Sequence, residues 1–267
     1  ANCTISATTI QMGDSISIKA TASMEAEIDH IDMFANDSLL VHKYIAPYNW
    51  SFKPLETGDY TIKIVAYDKN GNVASDSANL FVCAAQAPYG QNKIPGVIEA
   101  EEFDYGCEEI SYYDTDPQNE EGELRDDVSV DIVTGNNGYA IGYTMEGEWM
   151  NYTVDVAETA TYELTATVAS GIENSAFQIY VDGEKAGSEI IVPQTGTDVW
   201  DVYKEVKCDE IDLKAGKHVL RIEITSPYCN IDKLSFKSKS GTTGIVENGA
   251  IAGLSGKCDA FTPLGIY

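Results

Sequence analysis

The stretch Tyr162-Glu163-Leu164-Thr165-Ala166-Thr167-Val168 alternates apolar and polar side chains at every second residue. A shorter stretch before it, Tyr152-Thr153-Val154-Asp155-Val156, has the same period. This spacing is typical of a β-strand with one buried and one solvated face, as in an antiparallel sheet. The sequence therefore predicts an all-β fold built around these two strands.

Further strand signals surround this pair, and turn residues such as the hairpin dipeptide Asp182-Gly183 separate them. Together they predict a β-sandwich jelly roll between Ile94 and Lys237. The predicted strands are Val97 to Glu101, Gly138 to Gly142, Trp149 to Val156, Ala160 to Ala169, Phe177 to Val181, Ile190 to Pro193, Tyr203 to Lys207, Lys217 to Ile224 and Ile231 to Phe236.

A smaller group of short strands comes first in the chain and predicts a separate sandwich. The domains predicted from this pattern are residues 1–85, a polar linker at 86–93, the jelly roll at 94–237, and a linker with a C-terminal tail at 238–267. The predicted strands of the first domain are Ile16 to Ala20, Ile28 to Ala35, Leu39 to Tyr44, Tyr60 to Tyr67 and Asn79 to Cys83.

The first domain carries the motifs APYNWSF at 46–52, TGDYTI at 57–62 and AYDKNGNVA at 66–74. These motifs resemble bacterial immunoglobulin-like repeats, which imply a spacer beside the catalytic domains of secreted glycan-degrading enzymes. Trp50 could be a sugar platform, but a tryptophan in this strand more often packs between the sheets, so we predict a core position. The end of the chain resembles the sorting tails of Bacteroidetes-type proteins; a docked strand or a fragment boundary is an equal alternative.

The overall charge excludes some partners. The 267 residues include 17 Lys and Arg against 43 Asp and Glu, for a net charge of −26. Such a charge repels nucleic acids and anionic membrane surfaces. One interpretation of the many Asp and Glu residues is that they keep the protein soluble. The other is that some of their carboxylates hold a cation or accept hydrogen bonds from hydroxyl groups.

The resemblance to repeats of secreted bacterial proteins implies an extracytoplasmic location, secreted or at the cell surface, and the targeting and cysteine signals are compatible with it. No apolar run is long enough for a transmembrane helix, and no signal peptide is present, so we expect a processed chain or a piece of a longer one. The six cysteines lack CxxC spacing and nearby histidines, which argues against a cysteine zinc site. An even number permits disulfides in fifteen pairings, and the sequence does not choose among them.

Two carboxylates, Glu99 and Glu101, stand two residues apart in a predicted strand and would share one face. A cation would relieve their repulsion, and Ca²⁺ takes six to eight oxygen ligands. Asp232, near the predicted last strand, is a third candidate because the first and last strands of a jelly roll often run side by side. A catalytic pair would need a second wall across a cleft, so we favour a structural Ca²⁺ over catalysis, with plain surface charge as the other alternative.

Candidate sugar contacts come from strand ends and loops. Sugar rings present flat C–H faces and a rim of hydroxyl groups, so a binding site needs exposed aromatic rings and a few amide or carboxylate partners. Tyr143, Trp200 and Asn230 have the right chemistry and positions. Each could instead be a loop residue packed on its neighbours. Trp149 begins a strand and is predicted to be core.

The second domain resembles family 6 carbohydrate-binding modules. The matching motifs are IEAEEF at 98–103, YYDTD at 112–116, IGYTMEGEWMNYTV at 141–154, VPQTG at 192–196, LKAGKH at 213–218 and CNID at 229–232. The resemblance implies that two rings sandwich a sugar and an asparagine hydrogen-bonds it, at Tyr143, Trp200 and Asn230. It also implies a structural calcium held by Glu99, Glu101 and Asp232.

The segment from Cys107 to Asp127 is longer and more acidic than in short members, and resembles members found beside agarases and other β-glycanases. That resemblance implies that Glu108, Tyr112 and Asp114 wall the cleft. The family's glycine doublet before the tryptophan is replaced by Thr197-Asp198-Val199, which leaves the pocket depth open.

The predicted function is non-catalytic binding of a β-linked plant or algal cell-wall polysaccharide, targeting an attached or associated glycoside hydrolase to its substrate. The expected partners are a polysaccharide or oligosaccharide and a linked catalytic domain, with no nucleic acid and no membrane span. A freestanding glycan-active enzyme and an adhesion or scaffold protein with a protein partner are the alternatives. Only three His, and no carboxylate pair in the predicted cleft, weigh against an enzyme.

Overall fold

The computed structural model describes residues 1–120, 122, 124–135 and 138–239. Within them, the first domain contains eight strands in two sheets, with orders β1-β3-β6 and β2-β8-β7-β4-β5. The strands are β1 (Asn2–Ile5), β2 (Thr9–Gln11), β3 (Ile16–Thr21), β4 (Ile28–Ala35), β5 (Ser38–Lys43), β6 (Asn49–Phe52), β7 (Gly58–Asp68) and β8 (Val73–Cys83).

The second domain also forms two sheets, with a 3₁₀ turn at Ala100–Glu102. One sheet has the order β12-β13-β21-β15-β19, with β10 also paired to β21; the other has the order β11-β14-β20-β16-β17, with β9 and β18 at its sides. The strands are β9 (Asn92–Ile94), β10 (Gly96–Glu99), β11 (Tyr112–Tyr113), β12 (Ile132–Thr134), β13 (Tyr139–Ile141), β14 (Trp149–Val156), β15 (Ala160–Ala169), β16 (Ser175–Val181), β17 (Glu184–Lys185), β18 (Ile190–Val192), β19 (Lys204–Leu213), β20 (Gly216–Ser226) and β21 (Asn230–Ser238).

Each sandwich buries its own apolar core, and the predicted all-β fold class is confirmed. Alternate residues of β15, beginning with Tyr162 and Leu164, face the core of the second domain, as the period of two predicts. Ile31 and Met33 of β4 face the core of the first. The predicted C-terminal tail lies almost wholly outside the described residues.

The two cores do not include the two tryptophans predicted for them. Trp50 is 38% exposed, because β6 is an edge strand of its sheet and the opposite sheet does not cover the ring. Trp149 is half-buried on the outer face of its sheet, under the guanidinium of Arg221, whose Cζ lies 3.7 Å from the ring centroid. Its strand neighbours Met150 and Tyr152 take the inward positions.

The predicted linker at 86–93 is built into the surrounding structure. Asn92 is buried in β9, which pairs in parallel with β14. The side chain of Gln86 donates to Asp104 at 2.7 Å. A disulfide joins Cys83, the last residue of the first domain's β8, to Cys107 in the second domain. The chain therefore passes between the domains along a path held by hydrogen bonds and a covalent bridge.

Candidate functional site

An open cavity of about 420 Å³ lies where loops leave one end of the second sandwich. Its walls combine aromatic rings with a carboxylate and an amide. The lining residues are Val133, Thr134, Tyr143, Trp200, Asp201, Tyr228 and Asn230. The three residues predicted from the sequence to contact sugar, Tyr143, Trp200 and Asn230, thus line one cavity.

Tyr143 follows β13 and presents a ring that is 54% exposed. Its backbone is in the left-handed region, with φ of 48°, which costs a tyrosine about 1 kcal/mol. Contacts on both sides hold this conformation. The Gly142 amide donates to the Asp131 carbonyl at 3.0 Å, and the Thr144 hydroxyl donates to the Cys229 carbonyl at 2.9 Å.

Tyr228 provides a third aromatic side chain, 45% exposed, which the sequence reasoning missed. Its amide donates to the Thr144 carbonyl at 2.8 Å, so the loops of Tyr143 and Tyr228 are joined directly. Its ring centroid lies 6.3 Å from that of Trp200, at an interplanar angle of 59°. Its position directly before the CNID motif, which contains the predicted contact Asn230, could have indicated that Tyr228 belongs to the site.

Trp200 lies in the loop between β18 and β19, which is fastened to the turn at Ser170 and Gly171. The Thr195 amide donates to the Ser170 carbonyl at 2.8 Å, and the Asp198 amide donates to the Gly171 carbonyl at 3.0 Å. A Cβ at Gly171 would lie 2.8 Å from the Trp200 ring, so the indole sits directly against a bare backbone. The ring remains 38% exposed.

Asn230 begins β21 and is buried beneath these rings. Its amide nitrogen donates to the Trp200 carbonyl at 3.0 Å. The side chain therefore positions the tryptophan loop as well as lining the cavity. Asp201, directly after Trp200, adds a carboxylate to the wall that the sequence reasoning also missed; its place beside a candidate tryptophan was the signal.

The structure does not bring Glu108, Tyr112 and Asp114 to this cavity. Tyr112 is buried against Phe103, with ring centroids 5.4 Å apart, because β11 pairs with β14 and turns the ring into the core. Asp114 is buried, and Glu108 is exposed beside Tyr112. The prediction that these three wall the cleft therefore does not match their positions.

Asp114 belongs instead to a buried group of carboxylates. Burial, with further contributions from Glu148 and Asp131, raises the pKa of Asp114 to about 7. The Asp116 amide, donating to Asp114 at 2.9 Å, partly opposes the shift. The Thr115 hydroxyl donates to Glu148 at 2.7 Å. This group braces the long loop before β12 rather than facing solvent.

The residues proposed to hold Ca²⁺ come together at the join of β10, the 3₁₀ turn and β21. Glu99 ends β10, opposite Lys233 of β21, which confirms that the first and last predicted strands are neighbours. Glu101 lies in the 3₁₀ turn rather than on the same strand face, so the expected geometry of the pair is corrected: the turn, not the strand period, directs its carboxylate.

Asp232 occupies an irregular point of β21. Val168 pairs with Ile231 and Thr167 with Lys233, so Asp232 is an extra residue in the strand, a β-bulge. The bulge lets Ile231 and Leu234 both reach the core while Asp232 is buried. A Cβ at Gly135 would lie 3.0 Å from its Oδ1.

The electrostatics of this group fit a cation. Burial, reinforced by Glu99 and Asp232, raises the pKa of Glu101 to about 7. Its Oε2 is buried with no hydrogen-bond donor among the described residues. The Lys233 ammonium lies 3.2 Å from Asp232 and 3.9 Å from Glu99. A buried carboxylate oxygen without a donor, next to two further carboxylates, has the chemistry that a hard cation prefers. The ligand oxygens of the three carboxylates do not all lie within 4.8 Å of one another, so side-chain shifts would have to accompany binding.

A jelly roll whose strand-end loops hold exposed aromatic rings around an open, partly polar cleft has the arrangement expected of a carbohydrate-binding β-sandwich module. Residues 120–238 match the model of the carbohydrate binding module (family 6), and residues 5–64 match that of a bacterial Ig domain. The chain thus contains a family 6 carbohydrate-binding module preceded by a bacterial Ig-like domain, as predicted. Family 6 modules bind oligosaccharides or polysaccharides and are non-catalytic.

Solved structures similar to the second domain include three modules of this family. The C-terminal module of LamC, a marine laminarinase from Zobellia galactanivorans, is 23% identical, with a TM-score of 0.43, over 54% of this chain and 98% of its own. CsCBM6-3 from Clostridium stercorarium, in complex with cellobiose, is 25% identical, with a TM-score of 0.42, over 56% and 98%. A β-1,3-glucan-binding module from Bacillus halodurans is 18% identical, with a TM-score of 0.42, over 56% and 100%.

The search among curated proteins found no match. Both domain types are typical of extracellular proteins. In the part of the chain that the structure describes, no helix has the length and apolar character needed to span a membrane.

Gly171→Ala is expected to weaken carbohydrate binding without removing any cavity-lining side chain. The new methyl group would collide with the Trp200 ring at 2.8 Å and displace it. We expect affinity for an oligosaccharide that binds the parent to fall at least tenfold, about 1.4 kcal/mol by calorimetry. Gly138→Ala is the control, since a Cβ there meets nothing within 4 Å. Equal affinity in all three proteins would mean that the indole position does not govern binding.

Asp114→Asn is expected to change the pH dependence of stability. The folded state holds the Asp114 proton up to about pH 7, while the unfolded chain loses it near its ordinary value of 3.8. The folded state binds more protons in this window, so the free energy of unfolding should fall as the pH rises through it. We expect a loss of about 2 kcal/mol in the parent, less than the full shift because the site can relax.

Urea unfolding at a series of pH values measures this effect. Asp114→Asn, which is neutral throughout, should lack this part of the decline and should bind sugar as the parent does, because Asp114 lies away from the cavity. The same pH profile in Asp114→Asn and the parent would show that Asp114 ionises freely in the folded domain. A loss of sugar affinity in the folded variant would show that Asp114 contributes to the sugar site after all.

Proposed function

We propose that this protein binds a β-linked polysaccharide of the plant or algal cell wall through the cavity of Tyr143, Trp200 and Tyr228, without chemical change to the sugar. The observation that carries the proposal is the convergence of three exposed rings on one cavity, inside the domain that matches family 6. The resemblance of the 107–127 segment to modules beside β-glycanases supports the substrate class.

The cavity chemistry suits a pyranose ring. Aromatic faces cover the C–H faces of the sugar and exclude water from them, which provides most of the favourable free energy. The Asp201 carboxylate can accept hydrogen bonds from hydroxyl groups at the rim, and the amide of Asn230 lies at the cavity wall. The volume of about 420 Å³ is within the usual range for a small-ligand site.

The open form of the cavity implies modest affinity. Association entropy and the desolvation of sugar hydroxyls offset much of the burial, so we expect dissociation constants between micromolar and millimolar. Such weak binding becomes effective when the module is tethered, because the effective concentration of an attached partner near an insoluble substrate is high. We therefore propose that the chain holds a linked or associated glycoside hydrolase on its substrate.

Trp200→Ala should separate sugar binding from folding. Removal of an exposed ring is expected to lower affinity at least tenfold, about 1.4 kcal/mol, and to change the melting temperature little. Trp50→Ala is a matched control, since Trp50 is equally exposed, at 38%, but lies in the first domain. Pulldown on insoluble β-glycans and calorimetry with their oligosaccharides measure binding.

Two results would contradict the proposal. Equal binding by Trp200→Ala and the parent would place the sugar elsewhere. Release of reducing sugars from the same polysaccharides by the purified chain would instead favour a glycan-active enzyme, so this assay runs beside the pulldown.

We further propose that Ca²⁺ binds to Glu99, Glu101 and Asp232 as a structural ion. The buried Oε2 of Glu101 supports this, because a carboxylate oxygen without a donor is costly unless a cation neutralises it. The ion would supply positive charge where β10 meets β21 and so hold the first and last strands together. It would act on stability and not on the sugar.

Calcium is expected to raise the melting temperature of the second domain, because a ligand that binds only the folded state stabilises it. Addition of a chelator should reverse the shift. Glu101→Gln should lose the calcium response, whereas Glu184→Gln, an exposed carboxylate in the same domain, should keep it. A melting temperature that is the same with calcium and with chelator would exclude a structural calcium.

A further inference from the structure

Two of the three histidines of the chain lie together on the outer face of the first domain. His30 and Asp32 are two residues apart on β4 and so point to the same side of the sheet. His42 of β5 is the direct cross-strand partner of Asp32. The neighbouring residues Ile31 and Met33 point into the core, which directs this group away from it.

The side chains converge on one carboxylate oxygen. The Nδ1 of His42 lies 2.6 Å from Oδ1 of Asp32, and the Nε2 of His30 lies 3.7 Å from the same oxygen. One ligand atom from each residue lies within 4.8 Å of the others. Among the described residues, this is the only group of three or more His, Cys, Asp or Glu side chains that meets this distance.

The surroundings of His30 favour the tautomer that a metal ligand requires. Its Nδ1 hydrogen-bonds Oδ2 of Asp29 at 2.8 Å. A carboxylate at Nδ1 favours the tautomer that carries the proton there and leaves a lone pair on Nε2, the nitrogen that faces Asp32. Tyr67, the cross-strand partner of His30 on β7, stacks on the imidazole at 4.5 Å and 13°, which fixes the plane of the ring.

The distances are close to those of a first coordination sphere. Metal–ligand bonds of about 2.0 to 2.1 Å in tetrahedral geometry place neighbouring ligand atoms about 3.3 Å apart. The observed separations of 2.6 Å and 3.7 Å lie on either side of this value. A metal ion would replace the hydrogen bond between His42 and Asp32, and rotation of the His42 side chain, which is 49% exposed, would lengthen their 2.6 Å separation. The 3.7 Å separation would need a small shift of the His30 or Asp32 side chain.

We propose that His30, Asp32 and His42 bind a divalent transition-metal ion of the zinc class, with Asp29 orienting His30 and water completing the coordination. Two imidazoles and one carboxylate form a donor set that suits Zn²⁺ and related ions and does not suit Ca²⁺, which takes oxygen ligands. The net charge of −26 adds a general attraction for cations. The site is independent of the proposed sugar function.

The ion would cross-link β4 to β5, the edge strand of the five-stranded sheet. An edge strand has hydrogen-bonding neighbours on one side only, and it is a weak point of a sandwich. Metal binding to the folded state should therefore stabilise the first domain.

Titration of the full chain with Zn²⁺ in a calcium-saturated buffer tests the proposal. We expect one ion per chain and a higher melting temperature. His30→Gln and His42→Gln should each weaken binding at least tenfold, and Asp29→Asn should weaken it about tenfold because a partner of a ligating histidine is lost. His218→Gln is the matched control: His218 also contacts a carboxylate, Asp182 at 2.6 Å, but is not in a group of three.

Free thiols are the other source of zinc binding. Cys3→Ser tests the thiol of the first domain, and a Co²⁺ complex without thiolate charge-transfer absorption indicates nitrogen and oxygen ligands. Far-ultraviolet circular dichroism and oligosaccharide binding verify that each variant is folded. Equal zinc affinity in the parent and in folded His42→Gln would overturn the proposal. Loss of zinc binding in Cys3→Ser alone would also overturn it.

Discussion

The β-bulge at Asp232 is the constraint on which the second domain depends most. β21 lies between β13 and β15 and also pairs with β10, so it is the central strand of its sheet. In a regular strand, Ile231 and Leu234 would face opposite sides because they are three residues apart. The extra residue shifts the alternation by one position, so both side chains face the core. The same short segment then carries Asn230 to the proposed sugar cleft and Asp232 to the proposed calcium site.

The cleft is formed by loops, and hydrogen bonds between these loops and the turns beside the strand ends give it shape. Thr144 connects the Tyr143 loop to Cys229, and the turn at Ser170 and Gly171 fastens the Trp200 loop. Because backbone groups make most of these bonds, the rings can remain exposed without being loose. The proposed weak binding of an extended polymer needs flat surfaces that are accessible and already ordered, because the ordering of loops on binding would lower the affinity further.

The two domains use their acidic and aromatic residues differently. In the first domain, His30, Asp32 and His42 lie on an open sheet face, where a carboxylate between imidazoles favours a transition metal. In the second domain, Glu101 and Asp232 are buried beside the partly exposed Glu99 at a strand junction, where three carboxylates favour a cation that prefers oxygen ligands. The path between the domains is itself ordered, through the disulfide of Cys83 and Cys107 and the pairing of β9 with β14.

The sequence by itself determined the fold class, most strand positions and three of the cleft residues. A period of two is a local property, since consecutive side chains on a strand point to opposite faces whatever surrounds them. The same period also indicates the position of Trp149. Tyr152 and Val154 face the core, so residue 149, an odd number of positions away from both, lies on the outer face. Tyr143, Trp200 and Asn230 were candidates because they lie in loops and at strand ends, and the resemblance to family 6 modules singled them out from the alternative of loop packing.

Only the tertiary structure decided which side chains meet. Tyr112 and Asp114 look accessible in an acidic loop, but the pairing of β11 with β14 buries them. Trp50 looks like a core residue, but the edge position of β6 exposes it. Glu101 depends on a 3₁₀ turn, and Tyr228 meets Thr144 and Trp200 from a loop distant in sequence. Non-local pairing sets these contacts, and no local pattern records it.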